Sequence, residues 1–255
     1  MAVVELIKIE NLSKAFGNKV ILDNISLNVY QGENLVVFGQ SGTGKSVLLK
    51  CIIGLLKPDS GNILIKGKSV VNISNKDLNE IRKNTGFLFQ GAALYDSMTV
   101  RENLEFPLKR HSKISDDEAY EKVVNTLDLV SLKDAVDKMP SELSGGMKKR
   151  IGLARSIITD PEIMFYDEPT TGLDPISSKE ISELILDLQK KLKMTSIIVT
   201  HDLNCAHIIS DRNIFLKDGK IAYKGKIEEL SKSDDKFLKN FFSNEIIHWK
   251  EELKC

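Results

Sequence analysis

The sequence predicts an α/β fold with an antiparallel β flank and a helical insertion, and three observations lead to this prediction. Apolar and polar residues alternate over residues 5–31, as they do in strands with one buried face. The runs NLVVF, IMFYD and TSIIV are short and unbroken, which is typical of strands buried on both faces of a parallel sheet. Helical spacing of apolar residues fills much of the remaining chain. These patterns indicate a core sheet covered by helices, with a second sheet beside it.

The first part of the chain is expected to contain strands and one helix. Residues 5–31 should form antiparallel strands, and NLVVF (34–38) should form the first buried strand. The segment SVLLKCIIGLL (46–56) should form a helix that ends at a Lys-Pro-Asp-Ser-Gly turn cluster. Residues 61–73 resemble a hairpin.

The middle of the chain, from about Asp77 to Ser156, has a helical character. After it, EIMFYDE and SIIVTH are expected to be strands, and the segment between them (177–193) has the apolar spacing of a helix. Strand, helix and strand therefore recur on both sides of a helical middle. No internal repeat or low-complexity segment interrupts this order.

Bulk composition excludes several classes of protein. Lys and Arg together number 36, as do Asp and Glu, so no bulk positive charge favours a nucleic-acid partner. The apolar runs are far shorter than the roughly 18 residues of a membrane-spanning helix, and the N-terminus lacks the features of a signal peptide. The three cysteines have no paired or metal-like spacing, which suits a reducing cytosol. We therefore expect a soluble intracellular protein.

The stretch GQSGTGKS lies between a predicted strand and a predicted helix and matches G-x-x-x-x-G-K-[ST]. Its glycines let backbone N–H groups converge on phosphate oxygens, and the start of the helix adds a positive potential. Lys45 is expected to reach the terminal phosphates, and the Ser46 hydroxyl to bind Mg²⁺. The alternative is a chance glycine-rich turn. The residues expected around the phosphates are Gly39, Gln40, Ser41, Gly42, Thr43, Gly44, Lys45, Ser46 and Val47.

Four further polar residues end or follow other apolar runs. Asp167 and Glu168 end the run IMFYDE, where Asp167 is expected to hold Mg²⁺ through water and Glu168 to act as the general base on the attacking water. A helix cap or a solvated loop tip is the alternative for this pair. Gln90 follows GFLF and could reach Mg²⁺ or the water, while His201 ends TSIIVTH. By themselves, Gln90 and His201 are equally compatible with a structural role.

A second anion site is predicted at LSGGM, residues 143–147. Its Ser-Gly-Gly turn caps a helix, and such a turn presents backbone N–H groups to an anion. The site lies in the helical middle and need not reach the phosphate loop of the same chain. Two chains that face each other head to tail would each complete the other's site.

Along the chain, the five motifs are GQSGTGKS, the glutamine of FLFQ, LSGGM, IMFYDEPTTGLD and the histidine of IVTHD. In this order they make residues 5 to about 230 resemble the ATP-binding cassette (ABC) ATPases. The resemblance implies a P-loop NTPase (RecA-like) core with an antiparallel β flank and a helical subdomain, and it implies hydrolysis of ATP with Mg²⁺ in a homodimer. Ser144, Gly145 and Gly146 would then contact the γ-phosphate bound to the partner subunit. Asp174 would help to couple the two sites, and His201 would contact the γ-phosphate and position the water.

Family resemblance also gives a role to an aromatic ring and divides the chain. Phe16 falls where the family places a ring that stacks on adenine, although an ordinary strand-face phenylalanine is the alternative. We expect a nucleotide-binding domain at 1–235, with the core and β flank at about 1–88 and 160–235 and the helical subdomain at about 89–159. Residues 236–255 are expected to form a helical extension with an apolar stripe, which would pack either on its own core or on the partner ATPase subunit.

Met147 replaces the glutamine that is commonest at this position of the family. Together with GAALYDSMTV, it makes the chain similar to the branch that serves Mce-type lipid transporters, the MlaF-like ATPases. This resemblance implies an integral membrane permease whose coupling helix enters near Gly91–Val100, a surface loop being the alternative for that segment. It also implies a phospholipid cargo, an Mce-domain partner and a peripheral position on the cytoplasmic face of the inner membrane.

Other functions remain as alternatives. The chain could serve a transporter of another substrate, or be a soluble ABC protein of DNA repair or translation. It has no heptad run, only one cassette and balanced charge, and these features disfavour the soluble class. A subunit that binds nucleotide without turnover is disfavoured by the presence of Glu168, Gln90 and His201, and a simple kinase would leave LSGGM unexplained.

Overall fold

The computed structural model describes residues 4–40, 42–111 and 114–243. The strands are β1 (Glu5–Phe16), β2 (Lys19–Tyr30), β3 (Asn34–Phe38), β4 (Ser60–Ile65), β5 (Lys68–Ser69), β6 (Thr85–Leu88), β7 (Ile163–Asp167), β8 (Thr195–Val199), β9 (Arg212–Lys217) and β10 (Lys220–Gly225). The α-helices are α1 (Lys45–Ile52), α2 (Asn75–Arg82), α3 (Val100–His111), α4 (Asp116–Leu129), α5 (Gly145–Ile157), α6 (Pro175–Leu192), α7 (Leu203–Ile209) and α8 (Ile227–Leu230). Residues 236–243, here called the tail helix, are also helical.

Two sheets form the framework, as the sequence predicts. The strand order of the antiparallel sheet is β2-β1-β4-β5, and that of the larger sheet is β10-β9-β3-β8-β7-β6. In the larger sheet β9, β3, β8, β7 and β6 are parallel, and only β10 runs antiparallel to its neighbour. Because parallel strands end at a common edge, the loops that follow β3, β6, β7 and β8 meet there.

The larger sheet is buried on both faces. In β3, the alternate residues Leu35 and Val37 pack with α1 and the antiparallel sheet, whereas Val36 and Phe38 pack with α5, α6 and α7. All five residues of β3, β7 and β8 are buried. This two-sided burial explains why these strands are unbroken apolar runs, whereas β1 and β2 alternate.

Two expectations from the sequence are wrong in detail. Helix α1 ends at Ile52, a turn earlier than expected, because Gly54 adopts the left-handed conformation (φ 69°) that terminates helices. The supposedly helical middle contains the strand β6, which pairs in parallel with β7. A four-residue strand is too short for its periodicity to stand out.

Helices α3, α4 and α5 lie between β6 and β7 along the chain. Ser115 and Glu118 form a capping box at the start of α4, and the buried Asn103 on α3 is bonded to the loop before it. Helices α3 and α4 pack against each other and against α5, whose buried face includes Ile151, Leu153 and Ala154. This segment is thus a small helical layer attached to the carboxyl edge of the sheet.

The tail helix packs on its own chain through aromatic side chains. The Phe241 ring lies edge-on to Phe215 (5.0 Å between centroids) and to Phe38 (5.7 Å). Phe237 stacks on Tyr223 at 5.9 Å, and Leu238 is buried. The other apolar residues of the predicted stripe, Ile246, Ile247 and Trp249, lie outside the described residues.

Candidate active site at the phosphate loop

The phosphate loop joins β3 to α1 at the carboxyl edge of the larger sheet. Gly44 caps α1 with φ 99°, a left-handed conformation suited to glycine. The buried Lys45 folds back over the loop, and its Nζ donates to the carbonyl oxygens of Gly39 (2.6 Å) and Gln40 (3.2 Å). Burial lowers the pKa of Lys45, and the nearby Glu168 carboxylate partly opposes this shift. The loop therefore presents a desolvated ammonium at its centre.

A side-chain hydrogen bond also stabilises the phosphate loop. The Thr43 hydroxyl donates to the Gln40 carbonyl at 2.8 Å, which closes a turn inside the loop. Ser41 lies outside the described residues, so its predicted place at the phosphates stays a prediction.

Two adjacent carboxylates lie at the carboxyl end of β7, next to the loop: Asp167 is its last residue and Glu168 follows it. The Ser46 hydroxyl donates to Asp167 Oδ1 at 2.7 Å, which joins α1 to the end of β7. Glu168 has φ 51°, a strained conformation for a non-glycine residue that is common at functional sites. Its Oε1 lies 3.6 Å from Lys45 Nζ, and its Oε2 lies 2.8 Å from His201 Nδ1. The structure thus brings these five predicted residues together.

Electrostatics keep the Glu168 carboxylate ionised. Its burial would raise its pKa, but the hydrogen bond and attraction of His201, with further contributions from Lys45 and Thr171, hold the pKa below its usual value. A buried carboxylate in its basic form, next to a cation, is suited to accept a proton from water.

A cavity of about 810 Å³ opens over these groups. Phe16, at the end of β1, lines it and is 49% exposed. Gln90 and His201 line it as well, and both are exposed to solvent. The complete lining is Phe16, Ile21, Gly39, Gln40, Gly42, Gly44, Lys45, Ser46, Val47, Gln90, Glu168, His201, Phe237, Asn240 and Phe241.

The tail helix contributes a wall of this cavity that sequence reasoning missed. Phe237, Asn240 and Phe241 line the cavity although about 200 residues separate them from the phosphate loop. The apolar stripe of the tail was visible in the sequence, but nothing in it indicated that the stripe reaches the phosphate loop.

The remaining predicted residues lie elsewhere on the chain. Ser144 caps α5 and accepts a hydrogen bond from the Met147 N–H at 3.2 Å, and both Ser144 and Gly145 are exposed. Asp174 caps α6 and accepts from the Ser177 hydroxyl at 2.6 Å. These residues do not line the cavity.

The two caps are close to each other. A Cβ atom added to Gly145 would lie 3.9 Å from Leu173, and one added to Gly146 would lie 3.8 Å from the Ser177 hydroxyl. Ile176, in the first turn of α6, is 74% exposed. We call five residues the signature surface, of which Gly146 is half-buried and the others are exposed: Ser144, Gly145, Gly146, Asp174 and Ile176.

A further concave surface lies on α3, next to residues 91–100. It encloses about 570 Å³ and is lined by Met98, Glu102, Glu105, Phe106, Lys109 and Arg110. Tyr95 and Phe106 are both about 40% exposed, and their rings are 5.2 Å apart. Asn103 holds the preceding loop through its bonds to the carbonyls of Tyr95 and Met98. We call this surface the α3 groove.

The described residues contain neither a cluster of metal ligands nor a membrane-spanning helix. No group of three or more His, Cys, Asp or Glu side chains in 4–40, 42–111 and 114–243 is arranged to hold a metal ion alone. Among the helices in that part of the chain, none combines the length and hydrophobicity needed to span a bilayer.

Comparisons with known proteins identify the family. The family model described as ABC transporter matches residues 22–171. The chain is 41% identical to the probable ribonucleotide transport ATP-binding protein mkl of Mycobacterium leprae, over 94% of this chain and 70% of that protein. It is 40% identical to the intermembrane phospholipid transport system ATP-binding protein MlaF of Haemophilus influenzae, over 94% of this chain and 91% of that protein.

Solved structures agree with this assignment. A dimeric ATP-binding cassette in a post-hydrolysis state, bound to ADP and Pi, aligns with a TM-score of 0.79 and 32% identity, over 87% of this chain and 99% of that one. The RecA-like fold predicted from the motifs is thereby confirmed. The chain belongs to the ABC transporter family, as one of the subunits that bind and hydrolyse ATP.

Proposed function

We propose that two copies of this chain close around two ATP molecules and drive an integral membrane permease that moves phospholipid. One observation carries the dimeric mechanism: the cavity and the signature surface are separate regions of one chain. Each is a half-site, with a phosphate loop in one and an exposed helix N-terminus in the other. A homodimer that pairs unlike halves would complete two sites at once.

The phosphate loop and its neighbours hold the nucleotide in this proposal. Lys45 exchanges its carbonyl partners for the β- and γ-phosphates, and the loop amides of residues 39–47 cradle them. Ser46 and Asp167 offer a hydroxyl and a carboxylate oxygen 2.7 Å apart, the hard oxygen donors that Mg²⁺ prefers. Gln90 would add an amide oxygen. Mg²⁺ bound there would neutralise charge that develops on the phosphates.

Glu168 serves as the general base on the attacking water, and His201 holds the Glu168 carboxylate in position. The 2.8 Å contact between His201 Nδ1 and Glu168 Oε2 supports this assignment, because a base must be oriented as well as ionised. His201 is exposed in the free chain and so is available to a γ-phosphate. Phe16, which presents its ring to the cavity, stacks on the adenine.

In the closed dimer, Ser144, Gly145 and Gly146 approach the γ-phosphate bound to the partner subunit. Asp174 and Ile176 lie beside them and contact the partner, which would bury the exposed Ile176 side chain. The solved relative with ADP and Pi is itself dimeric, which supports this arrangement.

The permease is proposed to dock at residues 91–100 and the α3 groove. The exposed rings of Tyr95 and Phe106 give this surface the apolar anchor points that interfaces use. The loop that forms it continues directly from Gln90, so a change at the γ-phosphate reaches the permease through a few residues. We propose that residues 89–159 move as a subdomain on the core formed by 1–88 and 160–235.

Phospholipid is the proposed cargo, with an Mce-domain protein in the complex and the ATPase on the cytoplasmic face of the inner membrane. The similarity to MlaF covers 91% of that relative, and Met147 and GAALYDSMTV support the same branch. The similarity to mkl, named for ribonucleotide transport, makes that cargo the second candidate.

Purification of the complex from native membranes through a tag on this chain tests the proposal. We expect a permease, an Mce-domain protein and bound phospholipid. Recovery of nucleotides without lipid would favour the second candidate, and recovery of a different permease would overturn the lipid assignment. If no membrane protein is recovered under conditions that preserve such complexes, the transport role proposed here is wrong.

A further inference from the structure

Lys149 is a buried lysine on the helix that begins at the signature surface. It lies in the second turn of α5 and is 6% exposed. Its ammonium donates a short hydrogen bond to the Gln90 carbonyl oxygen and a longer one, of 3.4 Å, to the Glu168 carbonyl oxygen. One side chain of α5 therefore binds the backbone of two residues in the proposed catalytic site.

A lysine at this position must have a use that offsets its cost. A buried ammonium is unfavourable unless it is paired, and burial accordingly lowers the pKa of Lys149, while the carboxylates of Glu168 and Asp167 oppose that shift. A residue needed only for packing would be an apolar side chain of similar length. The ammonium instead donates hydrogen bonds to the two loops that carry Gln90 and Glu168.

Contacts further along α5 extend this attachment. Gly152 lies so close to the loop after Gln90 that an added Cβ would come within 2.9 Å of the Ala92 Cβ. Arg155 donates to the Ala93 carbonyl at 3.0 Å. Because Lys149, Gly152 and Arg155 are spaced by three residues, they lie along one side of α5. The loop that starts at Gln90 is therefore fixed to α5 over two helical turns.

The N-terminus of α5 would face the second ATP site in the proposed dimer. Ser144 caps the helix, roughly 7 Å along the axis from Lys149. In the proposed dimer, Ser144 meets the ATP held by the partner subunit. A helical segment of this length transmits a displacement of its N-terminus without bending.

We propose that Lys149 is a positioning residue that couples the two ATP sites of the dimer, by linking the helix that senses the partner's ATP to Gln90 and Glu168 of its own site. This inference rests on the proposed dimer. Binding of ATP between Ser144 and the partner's loop moves α5, and Lys149 carries the movement to the base and to the residue near Mg²⁺. The two sites then turn over cooperatively.

The test replaces Lys149 by methionine, which keeps the length and loses the donors. ATPase activity of the purified complex is measured against ATP concentration, and ATP affinity is measured separately in a background of Glu168→Gln. We expect Lys149→Met to lower kcat at least about ten-fold and the Hill coefficient from near 2 towards 1, with the affinity changed less than about two-fold. Lys149→Gln, which keeps an N–H donor, should recover part of both quantities.

Lys148→Met is the matched control, because it removes a neighbouring half-buried lysine from the same helix. It should keep the wild-type kcat and Hill coefficient. If Lys149→Met also keeps them, the coupling role is refuted. If Lys149→Met fails to fold, as judged by its melting temperature, Lys149→Gln decides: a lowered kcat and Hill coefficient support the coupling role of Lys149, and wild-type values of both refute it.

The failure of the wider proposal has a different signature. A wild-type complex with no ATP turnover would refute the proposed function itself. A wild-type complex that turns over ATP with a Hill coefficient of 1 would leave the ATPase intact and refute the coupling.

Discussion

Two glycines of the phosphate loop allow a sharp test of how tightly the loop is built. Gly42 and Gly44 both have left-handed backbones, with φ of 81° and 99°. A Cβ atom on Gly42 would meet nothing within 4 Å. A Cβ on Gly44 would lie 2.8 Å from the Ile21 Cγ2 and 2.9 Å from the Ile21 carbonyl oxygen. Substitution by alanine therefore has the same conformational cost at both positions, but only Gly44→Ala adds a steric overlap.

The shared cost is the left-handed conformation, which for alanine is about 1 kcal/mol. Gly44→Ala adds a steric overlap with the backbone of β2, and a backbone cannot rotate away as a side chain would. We assign this overlap a further cost of roughly 1–3 kcal/mol, the range for overpacked sites. For a chain of this size, about 1 kcal/mol corresponds to roughly 2–4 °C in melting temperature. We expect Gly42→Ala to lower Tm by roughly 2–4 °C and Gly44→Ala, which costs about 2–4 kcal/mol in all, by roughly 4–16 °C.

Melting of both variants without nucleotide, followed by titration with ATP, is the assay. We expect Gly44→Ala to lose at least about ten-fold in ATP affinity, because the shifted loop no longer aligns its amides on the phosphates. Equal Tm values for the two variants would refute this account of the loop. So would a Gly44→Ala variant that binds ATP as tightly as Gly42→Ala.

Three further predictions concern the base, the dimer and the tail helix. Because the pKa of Glu168 is held below its usual value, its ion pairs stabilise the fold above pH about 4.3, and this stabilisation is lost as the pH falls through the lower folded-state pKa. The Tm of wild type should therefore exceed that of Glu168→Gln by less at about pH 3 than at about pH 5. A constant difference in Tm over this range would contradict the ion pairing. Ile176→Glu should weaken ATP-dependent dimerisation at least about ten-fold by light scattering or ultracentrifugation without changing monomer Tm, since the side chain is exposed in the single chain and is buried in the dimer proposed above. Phe241→Ala removes ring contacts with the core and should cost about 2 kcal/mol by thermal melting, with weaker ATP binding as well; an unchanged Tm would mean that the tail helix does not pack as described.

The core of the fold was predictable because its physical cause is local in the sequence. Strands β3, β7 and β8 are covered on both faces, which forces five consecutive buried residues in each. Asp167 ends one such strand, and Lys45 and His201 follow two others, so the parallel order alone places them at one edge. The antiparallel pair β1 and β2 was predictable because only one face of each strand is buried. Apolar and polar residues therefore alternate along both strands.

Features that depend on distant contacts were not predictable in this way. The tail helix reaches the cavity because Phe241 packs on Phe38, and no local pattern reports such a pairing. The attachment of Lys149 to Gln90 was hidden in a basic triplet that suggests a solvated surface. In both cases, the decisive energy term is tertiary packing, which periodicity does not record.

The central claim is that each ATP site is built from two chains, and a mixing experiment tests it most directly. Lys45→Met should inactivate both sites of its homodimer through the phosphate loop, and Ser144→Arg should do the same through the signature surface. When the two variants are mixed and allowed to exchange, half of the dimers carry one chain of each kind. One site of each such dimer is then intact, which is a quarter of all sites in the mixture, so measurable ATPase activity should return, up to about a quarter of the wild-type value and less where the two sites are positively coupled. If the mixture is no more active than the two variants measured apart, the site lies within a single chain and the account is wrong.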